Sequence, residues 1–207
     1  MLDKYLVQTI DFLSSGGGVI WPLLGLSLIM WALIIKKMLE FYTLRSNESS
    51  FQECWQAALK DDQSVGAPWQ REFVQTISGM KSKLRFLDMS MLVGLEKRQE
   101  QRIDKYIKSI LVLAGIAPLL GLLGTVCGMI STFEVIAWFG TGNAKAMASG
   151  ISEALITTQA GLLVAVPGLV LGSFLQRRAE ELKSRIHRFC LGFLREANAY
   201  SHNHKPG

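Results

Sequence analysis

Apolar positions dominate two long uncharged runs, residues 109–133 and 154–176, joined by the short link 134–153. Each run exceeds the ~20 apolar residues that carry a helix across a bilayer. A second pattern lies inside the apolar one. Small or polar residues recur at Ala114, Pro118, Gly121, Thr125, Gly128 and Thr132, and again at Gly150, Ala154, Thr158, Gly161, Ala165, Gly168 and Gly172. Steps of three and four place each set on one helix face. Each predicted helix therefore has a greasy side for lipid and a smooth, hydroxyl-dotted side for something else. Two readings of the smooth side stand. Small residues let helix backbones approach, and Gly124 with Gly128, and Gly168 with Gly172, form GxxxG pairs. Alternatively, the face lines a pore or a cavity holding another helix. The threonines in both helices, and one proline in each, Pro118 and Pro167, favour a functional face. A proline in a membrane helix frees a carbonyl that must find another partner.

Taken in order, the pattern predicts an all-α, polytopic membrane protein with three spans. Residues 1–18 read as an external amphipathic segment, ended by Gly16, Gly17 and Gly18. Its net acidic start, without a small-residue cleavage site, argues against a signal peptide. Residues 19–39 form the first membrane helix, with Trp21 and Trp31 at the interfaces and Lys36 and Lys37 at the inner end. Residues 40–108 form a cytoplasmic helical domain. There Leu84, Leu87, Met91, Leu92, Leu95, Ile103, Tyr106 and Ile107 trace a stripe toward Ile110. The stripe predicts one helix running into the second span and projecting roughly 35 Å below the membrane. Its charge-rich part, 96–105, reads as a solvated or intersubunit face and predicts oligomerisation. Residues 109–137 are the second span, 138–149 a short periplasmic link, 150–176 the third span, and 177–207 a cytoplasmic helix and frayed tail.

Charge fixes the orientation. The chain has 207 residues and a net charge of +5. Apart from Lys4 and Lys145, every Lys and Arg falls within 36–108 or 177–205. That asymmetry places those two segments in the cytoplasm and the N-terminus outside. Basic residues here set topology, so nucleic-acid binding is not expected. The cysteines Cys54, Cys127 and Cys190 are far apart and form no CxxC or Cys/His cluster, so free thiols are expected and no metal or cofactor is implied.

No carboxylate lies in the middle of a span. Glu134 and Glu153 sit near the outer ends. Proton and cation pathways through membranes normally use an acid or histidine at depth. The polar path here is Thr125, Thr132, Thr157 and Thr158, and hydroxyls cannot hold a proton near neutral pH. If ions pass, a second protein must supply the carrier. Glu153 has two readings: an acid stabilising the positive N-terminal end of the third helix, or a structural anchor or ion-entry group. No nucleophile motif supports an enzyme.

The stretches APLLGLLGTVCGMI at 117–130 and GISEALITTQAGL at 150–162 resemble the MotA/TolQ/ExbB proton-channel family. The order AP-x-x-GL-x-GTV-x-G, then GI-x-EAL-x-x-T-x-x-GL-x-x-A-x-P, covers both inner helices. Three spans, a large cytoplasmic loop and an outside N-terminus fit the ExbB and TolQ branch better than the four-span MotA branch. The resemblance implies a bacterial inner-membrane protein forming a ring, a homopentamer, around a partner with one membrane helix. That partner, ExbD-like or TolR-like, carries the aspartate that takes the proton. The work passes to a TonB-like or TolA-like protein spanning the periplasm. The family's lining threonines fall at Thr125 and Thr158, its functional glutamate at Glu153, and its helix prolines at Pro118 and Pro167. Gly121, Gly128, Thr132, Gly161 and Ala165 complete the expected ion-pathway and partner-lining face. The leading expectation is an ExbB-like motor subunit energising TonB-dependent transport. A TolQ-like subunit, a sodium-driven relative and a non-conducting scaffold are the alternatives.

Overall fold

The computed structural model describes residues 17–45, 48–60, 62, 64–78, 89–140 and 143–203. The expected amphipathic segment, apart from Gly17 and Gly18, lies outside these residues, as do Leu84, Leu87 and the tail end 204–207. Among the described residues there are six helices and no strand: α1 (Ile20–Arg45), α2 (Phe51–Lys60), α3 (Pro68–Ser78), α4 (Met89–Asp104), α5 (Ile107–Phe139) and α6 (Ala144–Asn203). Three helical stretches, drawn from α1, α5 with α4, and α6, are long and apolar enough to cross a membrane. In lipid a spanning segment must satisfy its own backbone, which is why these uncharged runs are helical.

The chain divides into two compact units. The first comprises Met1–Ile35 and Tyr106–Phe174. Its helices meet through backbone rather than bulk. A Cβ placed on Gly121 would lie 3.0 Å from the Thr157 carbonyl oxygen, and one on Gly161 would lie 2.8 Å from that of Ala117. One on Gly128 would lie 2.8 Å from the Gly150 carbonyl oxygen. The α1 helix packs beside this seam through Leu23, which is buried with Ala117 and Ala165 and flanked by Leu26, Leu120, Ala160 and Val164. Lower in the seam, Gly168 leaves room for the Met30 side chain. Gly140, at a φ of 67°, closes α5 by donating its N–H to the Ile136 carbonyl, and α6 begins at Ala144. The stretch 144–149, expected as part of a link, is therefore already helical.

The second unit comprises Lys36–Lys105 and Leu175–Gly207. Its core is aromatic. Phe189 stands edge-on to Phe51, Trp69, Phe73 and Phe193, with ring centroids 5.0–5.9 Å apart. Local signals set its short helices. Ser50 and Glu53 form a reciprocal cap on α2, with Ser50 N–H donating to Glu53 Oε2 at 3.1 Å and Glu53 N–H to Ser50 Oγ at 3.3 Å. Pro68 opens α3, and the Gln70 Oε1 accepts from the Ser49 and Ala67 N–H groups.

The single long helix expected through 84–110 is interrupted. The α4 helix ends at Asp104, and Tyr106 adopts a left-handed φ of 71° before α5 starts. Ile103 before the break, and Ile107 and Ile110 after it, are each buried. The charged stretch 96–105 is also not uniformly solvated. Gln99 and Ile103 are buried, Asp104 pairs with Lys183 at 2.8 Å, and Glu96 Oε1 lies 2.6 Å from His187 Nδ1. Lys37 is buried at 1% exposure. It donates to Glu40 Oε2 at 2.9 Å and to the Arg102 carbonyl, in the last turn of α4, at 3.1 Å. A cation at that end complements the negative pole of the helix. The charge is compensated, as burial requires.

Candidate functional site: the threonine flank of the α5–α6 seam

The residues singled out by pattern separate into three groups. Gly121, Gly128, Thr132, Gly161 and Ala165 are buried within the protomer, in or beside the α5–α6 seam. Their smallness is used by the chain's own helices. Gly128 faces Gly150 and Ala154, Thr132 faces Gly150, and Gly121 faces Gly161. Thr157 belongs with them: it is buried at 2% exposure and fills the space left by Gly124. The sequence named it as a polar position without giving it this role. The missing side chain at Gly124 was the available signal.

Thr125 and Thr158 form the second group and remain half-buried. Thr158 lies against the α5 backbone one turn from Thr125. Gly121, one turn before Thr125, would bring a Cβ within 3.2 Å of the Thr158 Cα. Their placement around each helix follows from the step of about 100° per residue. Leu120 of α5 and Ala160 of α6 pack against the cluster of Leu23, Ala117 and Ala165. Thr125 is offset from Leu120 by about 140°, and Thr158 from Ala160 by about 160°. Half-buried, both threonines lie at an edge of the seam rather than inside it.

The hydroxyl protons are committed to the helices that carry them. Thr125 Oγ1 donates to the Leu122 carbonyl at 2.6 Å, and Thr158 Oγ1 donates to that of Ala154 at 3.1 Å. Thr132 donates to the Gly128 carbonyl at 2.9 Å, and Thr157 lies within reach of the Glu153 and Ala154 carbonyls. A hydroxyl has one proton to give, so each oxygen keeps only acceptor capacity. At the edge of the seam, Thr125 and Thr158 thus present lone pairs. Pro118 and Pro167 are half-buried inside α5 and α6. Each removes a backbone donor within the same stretch and leaves a carbonyl one turn earlier without its helical N–H.

Glu153 is alone in the third group. Five residues separate it from Thr158, which turns it about 140° away. It does not share the face of α6 that carries Thr158. Its carboxylate lies against the backbone of Gly17, in the turn that leads into α1. It is also not at the start of its own helix. The α6 helix begins at Ala144, more than two turns earlier, and the dipole effect fades within the first turn. Stabilisation of that helix end therefore does not account for Glu153.

Outside the spans, Cys54 is fully buried, and burial with the nearby Glu53 carboxylate pushes its thiol up to about 11. Cys190 is buried and Cys127 exposed, and all three thiols are free.

The known proteins that this chain resembles fit this architecture. The MotA/TolQ/ExbB proton channel family matches residues 70–188, which include α5, the seam and most of α6. Biopolymer transport protein ExbB of Salmonella typhimurium is 25% identical over 176 residues, covering 77% of this chain and 72% of that protein. Putative biopolymer transport protein ExbB-like 3 of Synechocystis is 30% identical over 177 residues, covering 75% and 79%. Tol-Pal system protein TolQ of Pseudomonas aeruginosa is 30% identical over 92 residues, covering 44% and 40%. With more than half its length matched to the family, and an ExbB-like relative aligned along three quarters of it, the chain belongs to the MotA/TolQ/ExbB proton channel family.

Proposed function

We propose that this chain is an ExbB-like subunit of an inner-membrane motor driven by the proton-motive force. Several copies, five by resemblance to the family, form a ring around a single-span partner of the ExbD or TolR kind. The N-terminus lies in the periplasm, and the second and third spans continue into cytoplasmic helices. The partner brings the aspartate that takes the proton. Residues 109–133 and 154–176 contain no charged residue that could replace it.

The observation that carries this reading is that Thr125 and Thr158, half-buried at the edge of the seam, each spend the hydroxyl proton on a carbonyl of their own helix. A protonated carboxyl passing the flank finds lone pairs to donate to. A deprotonated one gains a donor only when a hydroxyl turns away from the carbonyl of its own helix. The pair therefore favours the neutral form of the acid while it is inside the ring, as a proton carrier needs. Gly121, Gly128, Thr132, Gly161 and Ala165 support the lining from behind by holding the two helices together. One proton crossing 100 mV releases ~2.3 kcal/mol, so a few protons per step can shift a packed interface. The ring passes that work to a TonB-like periplasm-spanning protein, which energises outer-membrane transport. A TolA-like client in envelope maintenance is the second reading. The ExbB reading is favoured by the length of the match, 176 residues against 92 for the TolQ relative.

The test is the double variant Thr125→Val/Thr158→Val in cells that depend on this protein. Valine keeps the shape and removes the lone pairs, so the ring should assemble normally while proton-driven uptake falls at least about tenfold, a change worth ~1.4 kcal/mol in the rate-limiting barrier. Full activity in the double variant would identify a non-conducting scaffold. Co-purification with a TonB-like or a TolA-like protein separates the two clients.

A further inference from the structure

We propose that Gly17 is the seat of the Glu153 carboxylate, making a residue ahead of the first membrane helix the positioning residue for the acid on the third. Two independent features of Gly17 point to this. Its φ of 61° is left-handed, a conformation that glycine adopts without steric cost. Beyond that, the space where its side chain would begin is already occupied. A Cβ there would overlap Glu153 Oε1 and lie 2.6 Å from Glu153 Cδ and 3.3 Å from Cγ. The neighbouring Gly18 has open space at the same position. The crowding is therefore specific to one of the two glycines rather than a property of the turn.

The contact joins two elements that are far apart in sequence. Gly17 belongs to the turn 17–19 that leads into α1, and Val19 already accepts from the Leu23 N–H at 3.4 Å. Glu153 lies more than two turns inside α6 and is half-buried. Resting on Gly17, the acid is held at the turn leading into α1, on a different face of α6 from Thr158. Its position then depends on where α1 begins. Any side chain at residue 17 must push the carboxylate off its seat, and shortening the acid must relieve the conflict.

That reciprocity supplies the test. Four full-length proteins are purified in mild detergent and melted: the natural sequence, Gly17→Ala, Glu153→Asp, and the two changes together. Gly17→Ala should lower the Tm by more than about 4 °C, and Glu153→Asp by less than about 2 °C. The double variant should regain at least half of the loss caused by Gly17→Ala, because aspartate withdraws the carboxylate by one methylene. A double variant whose loss equals the sum of the two singles overturns the proposal. In that case the cost of Gly17→Ala comes from backbone conformation alone, which no change at residue 153 can relieve. If Gly17→Ala does not accumulate, the yield of membrane-inserted protein gives the same reading. Recovery of yield with Glu153→Asp or Glu153→Ala supports the seat, and no recovery with either overturns it. The proposal rests on the motor reading only in its activity arm. Coupled melting temperatures with undiminished proton-driven uptake in Gly17→Ala would leave the seat standing and remove Glu153 from the working site.

Discussion

The two compact units are held together by opposite means. In the unit built from Met1–Ile35 and Tyr106–Phe174, the closest contacts are glycine against backbone: Gly121 on the Thr157 carbonyl, Gly161 on that of Ala117, Gly128 on that of Gly150. In the other, the centre is a group of rings gathered around Phe189 and bordered by ion pairs such as Lys183 with Asp104 and Arg185 with Glu48. The solvent explains the contrast. Lipid tails are as apolar as leucine, so burying bulk between membrane helices gains little, and close backbone approach supplies the attraction. In water, removing aromatic surface from solvent is the dominant favourable term. The same chain therefore exposes Leu119, Leu122, Leu155, Leu163 and Val170 in one unit while burying Phe73 and Phe193 in the other.

The largest effect should come from adding bulk to the seam. Gly161→Leu drives a side chain into the Ala117 carbonyl and the Gly121 backbone, neither of which can turn aside. A loss of more than about 4 kcal/mol, seen as absence of folded protomer in detergent, is expected. Gly115 provides the control. It lies on the exposed side of α5 with nothing near its Cβ position. Gly115→Leu should change stability by less than about 0.5 kcal/mol. Equal damage from both would mean that glycine acts through chain flexibility and not through contact.

Removal of bulk should hurt the other unit most. Phe189→Ala takes away the ring that touches Phe51, Trp69, Phe73 and Phe193 and leaves a cavity among them. The cost should be about 3 kcal/mol, read from thermal or denaturant unfolding followed by Trp55 and Trp69 fluorescence. The reverse experiment sharpens the contrast. Truncating the exposed Leu163 to Ala should leave the folded protomer nearly unchanged.

Much of this was legible in the residues, and what was not has physical reasons. The three long helices follow from uncharged runs that no other structure could place in lipid. The small-residue faces were equally plain. Their use was not, because a face smooth enough for a foreign helix is smooth enough for a helix of the same chain, and both readings predict the same spacing. The angle between Glu153 and Thr158 was available from their five-residue separation. The seat of the Glu153 carboxylate on Gly17, which gives that angle a meaning, was not. Tyr106 carried no warning, since neither glycine nor proline marks the break between α4 and α5. The early start of α6 was hidden because residues 144–149 lack an apolar run, so the charge and hydropathy signals for a span begin later than the helix does.

The smallest effect concerns chemistry inside the aromatic unit. Cys54 is fully buried, and its thiol is pushed up to about 11 by burial first and by the Glu53 carboxylate second. The thiolate is the reacting species toward maleimides, so native protein at pH 7 should leave Cys54 unlabelled over hours, while protein unfolded in detergent should react within minutes. The pH dependence has a definite sign. The raised folded value means that folding keeps the proton on, so this contribution to stability is complete below the unfolded value of 9.0 and is lost as pH rises through about 11. Labelling of the folded protein should therefore stay slow up to pH 9 and accelerate above it, together with a falling Tm. Labelling at pH 7 as fast as that of the unfolded chain would show that the rings do not close over Cys54. The aromatic unit would then lack the tight core that sets it apart from the seam.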